Sequence, residues 1–318
     1  MNAILYAVNK NNKLLEHCGY HLKPIIHYFD GDDDISLIDT YLSLIKQKVW
    51  AILGPRRSKA LLVGGKVIPN IPIISPMAND PKIYNSQSLI FTSYPPVSQF
   101  AKKMFTTLTH NASPFSYAVF VDARCPACVA FANDFIKLAA PNKPAFYLQV
   151  AEDSPNLDHL IKSLKRHPID YLILPNYSQL SGYVMGNLST TFPKLDYIGS
   201  DGWGENSFSY IQGYDIKLKP HQALSIRNGK DDSDKLKDPL VKALMLHDSS
   251  TSLPPVSIIN MVRNIEILAT DLCHSKAKTA TEFAIYEKHN PKDHFLINQP
   301  YAIYSIFDGH LQFYRYAK

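Results

Sequence analysis

Between residues 23 and 227, short apolar runs that end in Gly, Pro, Ser or Asn alternate with longer stretches of helical periodicity. Strands joined through helices lie parallel to one another, and a parallel sheet needs helices on its faces. The pattern therefore implies an α/β fold of doubly wound parallel sheets. Strands are predicted at Lys23–Asp30, Val49–Leu53, Ile71–Pro76 and Ser88–Tyr94, and helices at Ile35–Lys48, Ser58–Val67 and Val97–Thr109. Ile35, Ile38, Leu42 and Ile45 form the apolar stripe of the first of these helices.

A break at Asn111–Pro114 precedes a second series. It runs strand Tyr117–Asp122, helix Pro126–Ala139, strand Phe146–Val150, helix Pro155–Arg166, strand Asp170–Pro175, helix Ser178–Leu188, and strands Tyr197–Ser200 and Ala223–Arg227. Helical stretches at Asp238–His247, Val256–Cys273 and Ala280–Lys288 stand outside that series, and the polar stretch Asn228–Asp234 separates them from it. Asp308-Gly309 between two alternating runs in Tyr301–Tyr316 marks a hairpin. The restart divides the chain into two lobes, 1–114 plus 236–297 and 115–235 plus 298–318, with the crossovers forming a hinge.

The 318 residues suffice for two such domains. Lys and Arg are scattered among 28 acidic residues, so the net charge of +5 makes no nucleic-acid footprint. No apolar run approaches the ~20 residues of a membrane span. Residues 3–8 are too short and wrongly flanked for a signal peptide. There is no G-x-S-x-G elbow, Walker A loop, G-x-G-x-x-G fingerprint or H-E-x-x-H array, and Gly64-Gly65 lacks a phosphate-loop context. Asp30–Asp34 lacks the spacing and terminal Glu of a calcium loop and reads as an acidic helix start. No cofactor is implied. Cys125-x-x-Cys128 follows a strand and opens a helix, where a low-pKa thiol is expected. A disulfide or two unreactive thiols is favoured there over a redox or metal role, and a thiol-dependent enzyme is the least favoured reading. Cys18 and Cys273 have no cysteine near them in sequence.

Doubly wound sheets bind ligands beyond the carboxyl ends of their strands, which draws attention to Gly54–Ser58, Ser75–Asp80, Asn176–Ser178 and Ser200–Gly202. Here the order KPIIHYFDGDDD, VWAILGPRRS, IPIISPMANDP, LIFTSYPPVSQFAKKM, IDYLILPNYSQ and LDYIGSDGWG resembles the type I periplasmic binding proteins. The likeness is to branched-chain amino acid receptors of ABC transporters, and it is good from Lys23 to Trp203 and looser beyond. It implies that the two lobes close on an amino acid or related zwitterion, outside the cytoplasm, with an ABC permease as partner. The family also begins with a strand before its first helix, whereas this chain starts inside that helix, near Asn2–His17; the lost strand is expected to expose the sheet of the first lobe.

By position, the resemblance places Ser58, Met77, Ala78 and Asn79 at the ligand carboxylate, and Tyr177 and Asp201 at its ammonium. Hydroxyl and backbone donors suit a carboxylate, while an aspartate and an aromatic face suit an ammonium. Arg57 and Trp203 are further candidates. Each has a plain structural alternative: Ser58 as a helix cap, Asp201 as a turn residue, Trp203 as packing. The departures from the family are Asn79 in place of a Thr, Thr92 near the place of an Arg, and Arg56-Arg57 in place of small neutral residues. They leave open a sensor of the same fold that contacts a signalling protein.

Overall fold

In the computed structural model of the chain, residues 2–28, 33–109, 115–203, 218–229, 232–247, 253–291, 294–297, 299–307 and 310–317 are described. The elements in chain order are α1 (Asn2–Leu15) with a 3-10 turn Glu16–Cys18, α2 (Asp34–Lys46), β1 (Ile52–Leu53), α3 (Ser58–Val67), β2 (Ile73–Ser75), α4 (Pro81–Tyr84), β3 (Ile90–Thr92) and α5 (Val97–Thr109). They continue with β4 (Tyr117–Asp122), α6 (Pro126–Ala139), β5 (Tyr147–Val150), α7 (Asp158–Arg166), β6 (Tyr171–Leu174), α8 (Ser178–Leu188), β7 (Asp196–Gly199) and β8 (Ala223–Asn228). The last are α9 (Asp232–Lys235), α10 (Pro239–His247), α11 (Val256–Ser275), α12 (Ala280–His289), β9 (Tyr301–Phe307) and β10 (His310–Tyr316).

The chain divides into two compact units: Met1–Pro95 with Asp232–Asn298, and Pro96–Asp231 with Gln299–Lys318. The sequence reading set the first boundary after residue 114. Here α5 belongs with the second unit, where Phe105 meets Phe135 of α6 edge-to-face at 5.7 Å and Phe100 meets Tyr301 of β9 at 5.2 Å. The break at 111–114 and the turn at 308–309 lie outside the described residues.

In the first unit, β1, β2 and β3 form a parallel sheet in that order. Leu37, Tyr41, Leu61 and Ile83 cover one face through Ile73 and Ile90. Leu15, Leu268, Leu272, Phe283 and Phe295 cover the other through Ile74 and Phe91. Gly64 and Gly65 let α3 come close, because a Cβ on them would lie 2.5 Å from the Tyr41 ring and 2.8 Å from Ile90. Asp33 caps α2 by accepting the Ser36 N–H at 2.8 Å.

Two sequence expectations change in this unit. Lys23–Asp30 forms no strand over its described part, 23–28, because an extended segment holds its shape only with a ladder partner and this one has none among the described residues. Asn12 pins its start by bonding both the N–H and the C=O of Leu22, and beyond that Ile25, Ile26 and Tyr28 are exposed. In α2, the periodic stripe Ile35, Ile38, Leu42 and Ile45 is the exposed face, and Leu37, Tyr41 and Leu44 are the buried one.

The second unit holds a seven-stranded sheet ordered β10-β9-β8-β7-β6-β4-β5. The strands from β5 to β8 are parallel, and β9 and β10 extend the sheet antiparallel. All six residues of β4 are buried, as a parallel strand covered on both faces requires. Leu160, Leu164, Leu180, Val184 and Leu188 pack on one face with Phe120, Leu172 and Leu174. On α6, Phe135 stacks with Phe131 and meets Tyr117 of β4 edge-to-face at 5.6 Å.

Candidate functional site

Gly54 leaves β1 at φ 111°, a conformation that favours glycine. The chain then passes Pro55 and the exposed Arg56 and Arg57 to Ser58. Arg57, not Ser58, occupies the N-cap of α3, and it does so without a side-chain cap bond. The half-buried Ser58 instead reaches across, its Oγ accepting the N–H groups of Asn79 (3.1 Å) and Asp80 (3.2 Å). Ser75, at the end of β2, donates to the Pro55 carbonyl at 2.6 Å and accepts the amides of Met77 (3.3 Å) and Ala78 (2.9 Å). Thr92 Oγ1 donates to the Ala78 carbonyl at 2.6 Å, and Asn260 of α11 donates to the Pro76 carbonyl at 2.9 Å.

All four amides of residues 77–80 are thus engaged by two serine hydroxyls. The backbone N–H groups of this loop, expected from the sequence to serve a ligand, are committed to Ser58 and Ser75. Ala78 and Asn79 are buried and Met77 is half-buried. The bracing residue Asn260, on a distant helix, escaped the sequence reading, since an Asn in an amphipathic helix carries no local signal of a long-range bond.

In the second unit the order β5-β4-β6 places a topological switch at β4 and β6, where doubly wound sheets open a crevice at their strand ends. Asn176, fully buried just after β6, accepts the Asp122 N–H at 2.7 Å and donates to the Phe120 carbonyl at 3.0 Å, so its amide stands in for ladder bonds beyond the strand end. Tyr177 follows at the N-cap position of α8 and is 56% exposed.

Ser200, after β7, donates to the Pro175 carbonyl at 2.8 Å and accepts the Gly202 N–H at 3.2 Å. This is the arrangement of Ser75 with Pro55 repeated on another strand pair. A Cβ on Gly202 would lie 3.2 Å from the Asn176 carbonyl and 3.3 Å from the Tyr177 ring, so the loops after β6 and β7 touch at Gly202, the residue after Asp201. Desolvation pushes the partly buried Asp201 carboxyl up to about 6; its own backbone N–H and the Arg227 charge oppose that rise.

Trp203 is fully buried, donates from Nε1 to Ser181 Oγ at 2.8 Å, and lies on Gly199, where a Cβ would come within 2.1 Å of the indole. Its side chain belongs to the core, so the candidate contact is a packing residue. Arg227 donates to the Trp203 carbonyl, and its guanidinium lies 5.1 Å from the centre of the Tyr304 ring.

The loop after β4 carries Arg124, which grips Asp122 through Nε (3.0 Å) and Nη2 (2.8 Å) and reaches Asp153 at 2.6 Å. Cys125 and Cys128 are joined in a disulfide, so neither is the free thiol that a thiol-dependent enzyme needs. Cys18 and Cys273, distant in sequence, are joined as well. Among the described residues, no group of three or more His, Cys, Asp and Glu residues is placed to hold a metal ion, and no helix is long and apolar enough to cross a membrane.

No protein-family model and no curated protein matches the chain. Solved structures do. A periplasmic binding protein type 1 from Bordetella pertussis Tohama I aligns with a TM-score of 0.78 at 12% identity, covering 99% of this chain and 94% of that one. The branched-chain amino acid transporter substrate binding protein of Streptococcus pneumoniae, in complex with isoleucine, aligns with a TM-score of 0.75 at 12% identity, over 98% and 94% of the two chains. An ABC-transporter solute binding protein of Rhodopseudomonas palustris, in complex with benzoate, aligns with a TM-score of 0.71 at 11% identity, over 99% and 92%. Two of these neighbours hold solutes of different chemistry, isoleucine and benzoate, and what all three have in common with this chain is architecture: it has the fold of the type I periplasmic binding proteins.

Proposed function

We propose that the chain is a non-enzymatic binding protein for a small polar solute, an amino acid or related zwitterion, serving ABC-type uptake. The observation that carries the reading is the contact between the loops after β6 and β7, which carry the exposed Tyr177 and the poorly solvated Asp201 carboxyl at strand ends. An aromatic face beside a poorly solvated carboxylate is the chemistry that attracts an ammonium. Ser58, Met77, Ala78 and Asn79 are assigned to the carboxylate end. With the amides of 77–80 engaged, the donors for that carboxylate are the Ser58 hydroxyl hydrogen, the Asn79 side chain and the adjacent exposed Arg57. Two disulfides fit an oxidising, extracytoplasmic setting.

Calorimetric titration with a panel of amino acids and with benzoate tests the proposal. Binding of an α-amino acid that weakens strongly in Asp201→Ala supports it. A preference for benzoate, with Asp201→Ala binding it as well or better, removes the ammonium assignment, and no response to any small solute removes the function. A second reading, a sensor of this fold that contacts a signalling protein, is favoured by the exposed apolar face Ile35, Ile38, Leu42 and Ile45 of α2.

A further inference from the structure

The two disulfides do different work. Cys18–Cys273 joins segments 255 residues apart, the turn after α1 and the last turn of α11. Cys125–Cys128 joins residues three apart that backbone bonds already hold. The Cys125 N–H donates to the Asp122 carbonyl at 3.2 Å, and its own carbonyl receives the Val129 N–H at 3.1 Å. A cross-link over so short a loop removes little unfolded-state entropy, so stapling does not account for it.

Its surroundings favour exchange. Cys125 is the N-cap of the 14-residue α6, and its Sγ accepts the Cys128 N–H at 3.2 Å. After reduction that same N–H and the positive end of the helix dipole stabilise a thiolate on Cys125, which lowers its pKa and makes it a good leaving group. We propose that Cys125–Cys128 is an exchange-competent redox site, reversibly reduced by small dithiols, at the end of β4 next to the loop that carries Tyr177. The cysteines are only 6% and 4% exposed, which selects small thiols over bulky protein partners.

In the reaction, a thiolate of the dithiol attacks Cys128 Sγ. The bond between the two cysteine sulfurs breaks, and Cys125 leaves as the thiolate held by the Cys128 N–H. The second thiolate of the reductant then attacks its own sulfur in the mixed disulfide and releases Cys128. Two electrons pass from the dithiol to the protein, the reductant becomes a disulfide, and the two cysteine thiolates take up protons according to their pKa values.

The test incubates the oxidised full chain with millimolar dithiothreitol, traps thiols with an alkylating reagent, and locates the label by peptide mass spectrometry, with circular dichroism reporting the fold. The expected result is labelling of Cys125 and Cys128 in a folded protein whose Cys18–Cys273 bond remains closed, and reclosure with glutathione disulfide. Reduction of Cys125–Cys128 no faster than that of Cys18–Cys273 overturns the proposal. In the single variants, Cys125 of Cys128→Ser is expected to react with iodoacetamide near pH 6 about tenfold faster than Cys128 of Cys125→Ser. Matching pH–rate profiles for the two also overturn it.

Discussion

Replacing Asp201 by Asn separates a functional carboxylate from a structural one. Asp201 has its carboxyl raised from 3.8 to about 6 by desolvation. A raised folded-state pKa means that the folded protein binds the proton more tightly than the unfolded chain. The stability linked to this group is therefore full below about pH 3.8 and is lost as pH rises through about 6. The shift of 6 − 3.8, about 2 pKa units, corresponds to about 3 kcal/mol against the folded state at pH 8, an upper bound because the side chain is partly exposed.

Asp201→Asn removes that penalty, so the variant is expected to be roughly 1–3 kcal/mol more stable at pH 8 and about equal to the parent at pH 4. The same change removes the charge proposed to meet an ammonium, worth about 1.5–3 kcal/mol, so amino-acid affinity is expected to fall roughly 10- to 150-fold. Affinity in the parent is expected to rise between pH 5 and 7 as the carboxylate ionises. Urea unfolding at the two pH values and calorimetry at pH 8 read all three effects. A variant less stable at pH 8 that binds amino acids as tightly as the parent would refute the reasoning, leaving Asp201 a turn residue.

Opening Cys18–Cys273 by a double Ser substitution frees a loop of more than 250 residues and is expected to cost about 4–5 kcal/mol, seen as a lower urea midpoint. Ser75→Ala deprives the Met77 and Ala78 amides of their acceptor and the Pro55 carbonyl of its donor; a loss of about 2–4 kcal/mol is expected in chemical unfolding, with weaker solute binding. Gly199→Ala drives a methyl into the Trp203 indole and is expected to cost at least about 2 kcal/mol, with a shift in tryptophan emission; an unchanged melting temperature contradicts the core placement of that ring.

The parallel strands were legible because runs such as Tyr171–Leu174 are apolar throughout and are followed by Pro and Asn. Helices such as Ser58–Val67, Val97–Thr109 and Ser178–Leu188 match the expected bounds, since their starts and stops are local signals. What failed depended on neighbours. Lys23–Asp30 has strand composition, but its described part, 23–28, has no partner strand among the described residues, and a ladder is a pairwise property. The α2 stripe has helical period, yet period fixes only which residues share a face, not which face meets the core. At the site, the strand ends pointed to the loops at 176–178 and 200–202, and Tyr177 and Asp201 were picked out there by the family resemblance. The internal use of the 77–80 amides was invisible, because it depends on hydroxyls of Ser58 and Ser75 that any turn could have oriented otherwise.

The repeated serine arrangement has a consequence for how such a chain changes over time. In each unit, one hydroxyl fastens a strand-end loop to the proline carbonyl of the adjacent strand end, through Ser75 and Pro55 in one and Ser200 and Pro175 in the other. The loop backbone is thus fixed by bonds within the protein itself, so less ordering entropy remains to be lost when a solute arrives. Recognition can then drift one side chain at a time while the frame keeps its shape. Arg56 and Arg57 on the loop after β1, and Asn79 on the loop after β2, are side chains that such a frame leaves open to change.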